Sequence, residues 1–316
     1  MEIMRKWIGL DVGGTTIKGA AVLEDGSIVY KEERPTESEQ GTPHMLDRMA
    51  QFVRDLAKSA GWSFDDVAGV GVGVPAFIDF ATGFVERAVN IGWYDVALVD
   101  ELKKRLGDNI PVAIENDANA AGLGETWAGG GKGFDDALFV TLGTGVGGGI
   151  LVDGKIVHGS NGMAGEIGHI TIDPNGRLCN CGRIGCLETI SSATGIVAAA
   201  QERIAGEATT LKEEEILSTR IVFEHAERGD RVAQEVVAYA IDRLGFALAN
   251  IGCTLNPQVI VVGGGVAAAG ETLLNQLKDA FARYALPRVT AGTAITLAEL
   301  GNDAGVIGAA LLQVRN

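Results

Sequence analysis

Apolar residues fall in short blocks punctuated by glycine. Trp7 to Val12 forms one run, Gly13-Gly14-Thr15-Thr16 breaks it, Ile17 to Leu23 forms a second, Asp25-Gly26 turns, and Ile28 to Tyr30 forms a third. This reads as strand, loop, strand, turn, strand. The same order recurs in Ala137 to Leu142, Gly143-Thr144-Gly145, Gly148 to Val152, Asp153-Gly154 and Lys155 to Val157, at offsets of 130 and 128 residues. An internal repeat of this kind predicts two domains of related topology. Between the copies, Pro43 to Ala60 and Ala97 to Leu106 have helical spacing, and Val67 to Val74 reads as a buried strand. After the second copy the pattern predicts helices at Ser192 to Ala205, Lys212 to His225, Val232 to Asn250, Glu271 to Tyr284 and Ala304 to Val314. Strands are expected at Gln258 to Val262 and Ala294 to Leu297. Strands alternating with helices imply an α/β fold. A hinge is expected near residue 115 and a return crossing near residue 301.

Composition narrows the function. The 316 residues are 47% hydrophobic, enough for two ordinary domains. Glycine supplies 45 of them without any collagen period, so it serves turns or ligand loops. Twenty-six basic against 41 acidic residues leave a net charge of −15, which argues against a nucleic-acid partner. Met1 to Lys6 leads straight into the first strand with no signal core, and the longest uninterrupted apolar candidate, Val259 to Ala269, is too short to span a bilayer. A cytoplasmic protein with no membrane partner is expected. Three of the four cysteines, Cys179, Cys181 and Cys186, fall within eight positions, which points to a metal rather than a disulfide framework. Cys253 lies alone on an apolar helix and is expected in the core.

Two glycine-rich segments imitate a dinucleotide fingerprint, Gly143-x-Gly145-x-x-Gly148 and Gly263-x-Gly265-x-x-Ala268. The first runs into a strand instead of a helix, and the second lacks an acidic residue at the required distance. A Walker A loop is absent, since Gly131-Lys132 has Thr126 where the first glycine should stand. The loops suit another task. In Asp11-Val12-Gly13-Gly14-Thr15-Thr16-Ile17-Lys18, glycines let backbone N–H groups approach an anion, Thr hydroxyls add donors, Lys18 adds charge, and Asp11 is placed to hold a metal through water. With Gly143, Thr144 and Gly145 as a second donor loop, the pair forms a candidate nucleotide clamp. His169-x9-Cys179-x-Cys181-x4-Cys186 offers one imidazole and three thiolates, a set suited to a closed tetrahedral structural zinc site. Asp117, at the end of the Pro111 to Ile114 segment, suits a base for a hydroxyl nucleophile, and equally a helix N-cap before Ala118-Asn119-Ala120-Ala121.

The segments Asp11-x-Gly-Gly-Thr-x-x-Lys18, Glu115-Asn116-Asp117-Ala118-Asn119-Ala120-Ala121, Gly165-Glu166-Ile167-Gly168-His169 and Cys179-x-Cys181-Gly182-x-x-Gly185-Cys186-x-Glu188 resemble those of the ROK family (repressors, open reading frames, sugar kinases), in order and spacing from Trp7 to the C-terminus. The resemblance implies an α/β fold of two ribonuclease-H-like, actin-like ATPase domains with a central cleft and hinge. Residues 1–115 plus 302–316 would form the smaller domain, and 116–301 a larger one carrying the zinc loop and an oligomerisation surface. It assigns the base to Asp117 and sugar contacts to Gly73, Asn90, Asn116, Asp117, Glu166, His169 and Glu188, with His169 serving zinc through one ring nitrogen and sugar through the other. It places adenosine at Gly263, Gly264 and Gly265, at a strand-to-helix turn. Within the family, Glu166-Ile167-Gly168-His169 with Cys186-Leu187-Glu188-Thr189 looks like the glucokinase branch. That implies glucose and ATP as substrates, Mg²⁺ at the phosphates, structural Zn²⁺, and a homodimer or homotetramer. Mannose, fructose or N-acetylmannosamine are the alternative acceptors. A sugar-sensing regulator is the other alternative, disfavoured because only six residues precede the first strand.

Overall fold

A computed structural model describes residues 4–314; Met1 to Ile3, the start of the segment read above as lacking a signal, lie outside the described residues. The chain opens with β1 (Lys6–Val12), β2 (Thr16–Leu23), β3 (Ile28–Pro35), α1 (Thr42–Ser59), β4 (Val67–Val74), β5 (Phe77–Asp79), β6 (Phe84–Ala88), β7 (Trp93–Val96), α2 (Leu98–Leu106), β8 (Val112–Asn116) and α3 (Asp117–Ala128). It continues with β9 (Ala137–Leu142), β10 (Val146–Val152), β11 (Lys155–Ile156), α4 (Glu188–Ser191), α5 (Ala193–Ile204), α6 (Thr219–Glu227) and α7 (Arg231–Leu255). It closes with β12 (Val259–Gly263), α8 (Glu271–Tyr284), α9 (Pro287–Gly292), β13 (Ala294–Leu297) and α10 (Ala304–Leu311).

The repeat seen in the sequence is a repeat of topology. One five-stranded sheet has the order β3-β2-β1-β4-β8 and another β11-β10-β9-β12-β13, so in each the strands of a copy stand third, second, first, fourth, fifth. In the first sheet β1, β2 and β3 are antiparallel neighbours, while β4 and β8 join in parallel through helical crossovers. A three-stranded sheet β5-β6-β7, which the sequence pattern did not suggest, is inserted between β4 and α2. Its strands are three to five residues long, too short for alternation to register.

By internal packing the chain divides into two compact units, Met1–Phe139 with Gly149–Gly165 and Glu299–Asn316, and Val140–Gly148 with Glu166–Ala298. In the first unit, successive side chains of β1 go to opposite faces. Ile8, Leu10 and Val12 join Met45, Met49, Phe52 and Leu56 of α1, while Trp7 joins Val306, Ile307, Ala310 and Leu311 of α10. Helix α10 lies against the sheet and α3 at backbone contact. A Cβ at Gly9 would stand 2.0 Å from the carbonyl oxygen of Val306, one at Gly71 1.7 Å from that of Ala309, and one at Gly308 1.7 Å from that of Ala120. In the second unit, α7 runs through the core beside α8, with Gly245 facing Ala280 and Gly252 facing the Phe281 ring.

Three sequence expectations need correction. The helix expected at Lys212 to His225 is a 3₁₀ turn, Thr210–Glu213, followed by α6, which starts only at Thr219 because Ser218 caps it, its hydroxyl accepting the N–H of Ile221. Cys253 is exposed, since it sits one position past Gly252 and points away from α8. Helix α7 is long and apolar enough, by length and composition, to cross a membrane, although 61% of its most apolar stretch is buried within the protein, as in a core helix. Asp242 and Arg243 interrupt its apolar run, so no unbroken apolar stretch marks it in the sequence.

The backbone contact of α10 yields a stability prediction. Gly308→Ala should cost about 2 kcal/mol or more, read as a fall in Tm. Gly206→Ala, where a Cβ meets nothing within 4 Å, should change stability by no more than about 0.5 kcal/mol.

Candidate active site

In the first unit, the face of β1 that carries Trp7 and Gly9 ends in Asp11, so the register that fits α10 also aims Asp11 at the start of that helix. Gly305, near its first turn, approaches so closely that a Cβ there would stand 2.9 Å from the Asp11 carboxylate. Asp11 pairs with Lys18 across β2 and with Gly73 across β4. Burial raises its pKa to about 6, the negative charge of Asp117 adding to the rise and Lys18 opposing it.

Asn116 and Asp117 divide the helix terminus between them. Asn116 is the N-cap of α3, its side-chain oxygen accepting the N–H of Ala118 at 2.9 Å and of Asn119 at 3.4 Å. Asp117 is therefore the first helical residue and not the cap. One carboxylate oxygen accepts the N–H of Ala118 at 3.0 Å, and burial pushes its pKa above the ordinary carboxylate range. Gly73 backs this junction, its Cβ position lying 3.8 Å from the Cα of Asp117.

The loop between β1 and β2 is pinned. The N–H of Gly13 donates to the Thr16 carbonyl at 2.9 Å. Thr36, fully buried, donates its hydroxyl to the Gly13 carbonyl at 2.6 Å and its N–H to that of Thr15 at 2.9 Å. Thr36 escaped the sequence reading because nothing marks a lone threonine after the charged strand β3. Asn90 reaches the same loop through its backbone, as a Cβ on Gly14 would lie 2.5 Å from the Asn90 carbonyl oxygen.

In the second unit, His169, Cys179, Cys181 and Cys186 converge, their ligand atoms all within 4.8 Å of one another. The Sγ atoms of Cys181 and Cys186 are 3.7 Å apart, and Nδ1 of His169 is 3.6 Å from Sγ of Cys179. A tetrahedral zinc with Zn–S of about 2.3 Å and Zn–N of about 2.0–2.1 Å has edges of about 3.8 and about 3.6 Å, so the donor set fits that ion. Burial and the two neighbouring thiols push Cys186 up to about 12, an electrostatic cost that a divalent cation offsets. With Nδ1 facing the thiols, Nε2 of His169 faces Glu166, 3.9 Å from Oε2.

Glu188 bridges the metal cluster and the second glycine loop. One oxygen lies 3.6 Å from Sγ of Cys179, and the other accepts the N–H of Val146 at 3.1 Å. It occupies the space over Gly145, where a Cβ would stand 2.2 Å from that oxygen. The Gly143 N–H donates to the Gly145 carbonyl at 3.0 Å, and the hydroxyl of Thr194 donates to the Thr144 carbonyl at 2.7 Å. Gly263 ends β12, and Gly264, at φ 85°, lies against Leu142 immediately before Gly143, where a Cβ would be 2.6 Å from the backbone. The residues Gly263 to Gly265 lead into a 3₁₀ turn, Gly265–Ala269, ahead of α8.

The structure thus gathers Asp11, Gly13, Gly14, Thr15, Thr16, Lys18, Gly73, Asn90, Asn116 and Asp117 in the first unit. It gathers Gly143, Thr144, Gly145, Glu166, His169, Glu188, Gly263, Gly264, Gly265 and the three thiols in the second.

Comparison with known proteins places this architecture. The solved structure of a ROK hexokinase from Thermus thermophilus has a TM-score of 0.84 at 32% identity, with 97% of each chain covered. That of a ROK family glucokinase from Streptomyces griseus, in complex with glucose and AMPPNP, has a TM-score of 0.76 at 33% identity, covering 98% of this chain and 100% of that one. The fold is the two-domain actin-like ATPase class of mixed α/β proteins. A glucokinase of Halalkalibacterium halodurans is 48% identical over 315 residues, covering 96% of this chain and 93% of that protein. The ROK family profile matches residues 7–316, and the chain belongs to the ROK family.

The raised pKa of Asp11 predicts a pH effect. Between about pH 4 and about pH 6 the folded chain keeps a proton that the unfolded chain has released, so stability falls as pH rises through that window. Asp11→Asn should remove this slope and melt above the wild type at pH 8, by at most about 3 kcal/mol, with the difference gone below pH 4. Thermal melts of both proteins across pH 4 to 8 measure it.

Proposed function

We propose that the chain is a glucokinase that transfers the γ-phosphoryl group of ATP to the 6-hydroxyl of glucose, giving glucose 6-phosphate and ADP. The observation that carries this reading is Asp117, relieved of capping by Asn116 and raised in pKa by burial. A carboxylate in that state is suited to take the proton of the attacking hydroxyl as the phosphoryl group is transferred. The 48% identity to a glucokinase and the likeness to a glucokinase structure bearing glucose and AMPPNP support glucose and ATP as the substrates.

Asn116, Glu166, His169 and Glu188 hold the sugar hydroxyls in this reading, with Gly73 and Asn90 completing the contact. Gly13 to Thr16, Lys18 and Gly143 to Gly145 receive the phosphates through N–H, hydroxyl and ammonium donors. The side-chain-free turn at Gly263 to Gly265 accepts adenosine. Asp11, half-buried and beside Lys18, would hold Mg²⁺ through water, where the cation offsets phosphate charge. The His169, Cys179, Cys181 and Cys186 set would hold a structural Zn²⁺, fixing Nε2 of His169 and the carboxylate of Glu188 for the sugar. Cytoplasmic residence, a homodimeric or homotetrameric state and the absence of a nucleic-acid partner belong to the same reading.

Four measurements test it. A coupled assay with ATP and Mg²⁺ against glucose, mannose, fructose, N-acetylglucosamine and N-acetylmannosamine should give the highest kcat/KM for glucose. Asp117→Asn should lower kcat by about 10²- to 10⁴-fold while glucose Kd stays within about threefold; near-normal turnover would overturn the assignment. Metal analysis of the purified protein should find zinc equimolar with the chain. Cys179→Ser should lose that zinc and raise the glucose KM.

A further inference from the structure

Two residues before Asp117, Glu115 stands on β8 with its side chain 3% exposed. Its Oε1 accepts the N–H of Asn116 at 2.9 Å and the side-chain amide of Asn119 at 3.0 Å, so it holds both the cap residue and the first turn of α3. Its Oε2 lies 2.7 Å from Nε2 of His158. A buried carboxylate needs a charged or strongly donating partner, and among the described ion pairs His158 is the one that reaches Glu115.

The His158 ring has a second attachment. It stacks on Phe80, with ring centroids 3.7 Å apart and planes inclined by 18°. Its backbone carbonyl accepts the N–H of Ala164 at 3.0 Å and closes the loop 158–164. Gly162 within that loop rests on the same support, its Cβ position 3.0 Å from the Ile78 carbonyl oxygen and 3.2 Å from the Phe80 ring. The imidazole therefore touches two segments, the β8–α3 turn that carries Asn116 and Asp117 and the end of β5 in the small sheet, while the backbone of His158 closes its own loop 158–164. An apolar ring here would stack equally on Phe80 but leave Oε2 of the buried Glu115 without the imidazole, so the histidine is required by the carboxylate and not by packing alone.

We propose that His158 is a positioning residue for the sugar acceptor, its bond to Glu115 and its stack on Phe80 fixing the turn that presents Asn116 and Asp117. The role rests on the reading of those two as sugar-facing residues. It acts on the acceptor and leaves the nucleotide loops Gly13–Thr16 and Gly143–Gly145 untouched, so the two substrates respond differently.

Steady-state kinetics of folded variants, checked by thermal melts, separate this from a structural role. His158→Phe keeps a ring to stack and loses the Glu115 bond; it should raise the glucose KM by about 10- to 100-fold, with the ATP KM within about twofold of wild type. His158→Gln returns an amide donor toward Glu115 but no ring to stack, and should bring glucose KM back from the His158→Phe value to the several-fold rise expected from loss of the stack alone. Phe80→Leu, which keeps the Glu115 bond and removes the stack, should raise glucose KM several-fold and serves also if His158→Phe does not fold. Unmoved glucose KM in His158→Phe or Phe80→Leu, equal movement of both KM values, or no recovery in His158→Gln would overturn the role. The sugar assayed is whichever the wild type turns over best. An active wild type with unmoved variants defeats this inference alone, whereas a wild type that phosphorylates no sugar defeats the proposed function and this role with it.

Discussion

Much of the first unit depends on one steric constraint, the approach of α10 to the sheet and to α3 at backbone contact. Gly9, Gly71, Gly124 and Gly308 supply the missing side chains, and a Cβ at any of them would stand 1.7 to 2.3 Å from a backbone oxygen. The helices and strands then lock through main-chain surfaces that have no rotamer freedom to lose. Because β1 alternates, the face that places Gly9 against α10 must end in Asp11, and the helix pressed against α10 must be the one that begins with Asp117. The electrostatic coupling between Asp11 and Asp117 follows from the packing.

The β8–α3 junction shows how adjacent polar residues take separate duties. A helix start needs an acceptor for its free N–H groups, and Asn116 provides it with a neutral side chain. Asp117 is then held with one carboxylate oxygen on the Ala118 N–H, buried enough to raise its proton affinity. Glu115 anchors the same turn through Asn116, Asn119 and His158. With the cap supplied by Asn116 and the turn held by Glu115, one oxygen of Asp117 bonds the Ala118 N–H, and the other is given to no helix N–H among the described hydrogen bonds.

In the second unit the four converging side chains that could hold a metal and Glu188 form a single polar assembly. Residues 170–187 contain little regular structure, so their geometry is set by the donors that converge at their centre. Glu188 reaches Cys179 with one oxygen and the Val146 N–H with the other, which ties the cysteine loop to the glycine loop between β9 and β10. The requirement for glycine at position 145 comes from this carboxylate as much as from any ligand.

Alternation of apolar blocks and turns was enough to reveal the repeated three-strand unit, the strand Val67–Val74, the helix Glu271–Tyr284 and the strand Ala294–Leu297, because local periodicity reports which side of an element is buried. Residue type and spacing were enough to mark the four side chains that converge at His169, Cys179, Cys181 and Cys186 and to mark the ROK motifs. The sequence could not separate the cap from the candidate base, since Asn116 and Asp117 both fit an N-cap and only the backbone angles of the folded turn decide between them. Nor could it reveal Thr36, the Glu115–His158–Phe80 cluster or the exposure of Cys253, which depend on residues 21 to 78 positions apart meeting, or on which side of a helix finds a partner. The chain by itself determined the elements and the inventory of reactive groups; the tertiary structure decided which were buried, paired and raised in pKa, because burial and pairing are properties of contacts that no local pattern encodes.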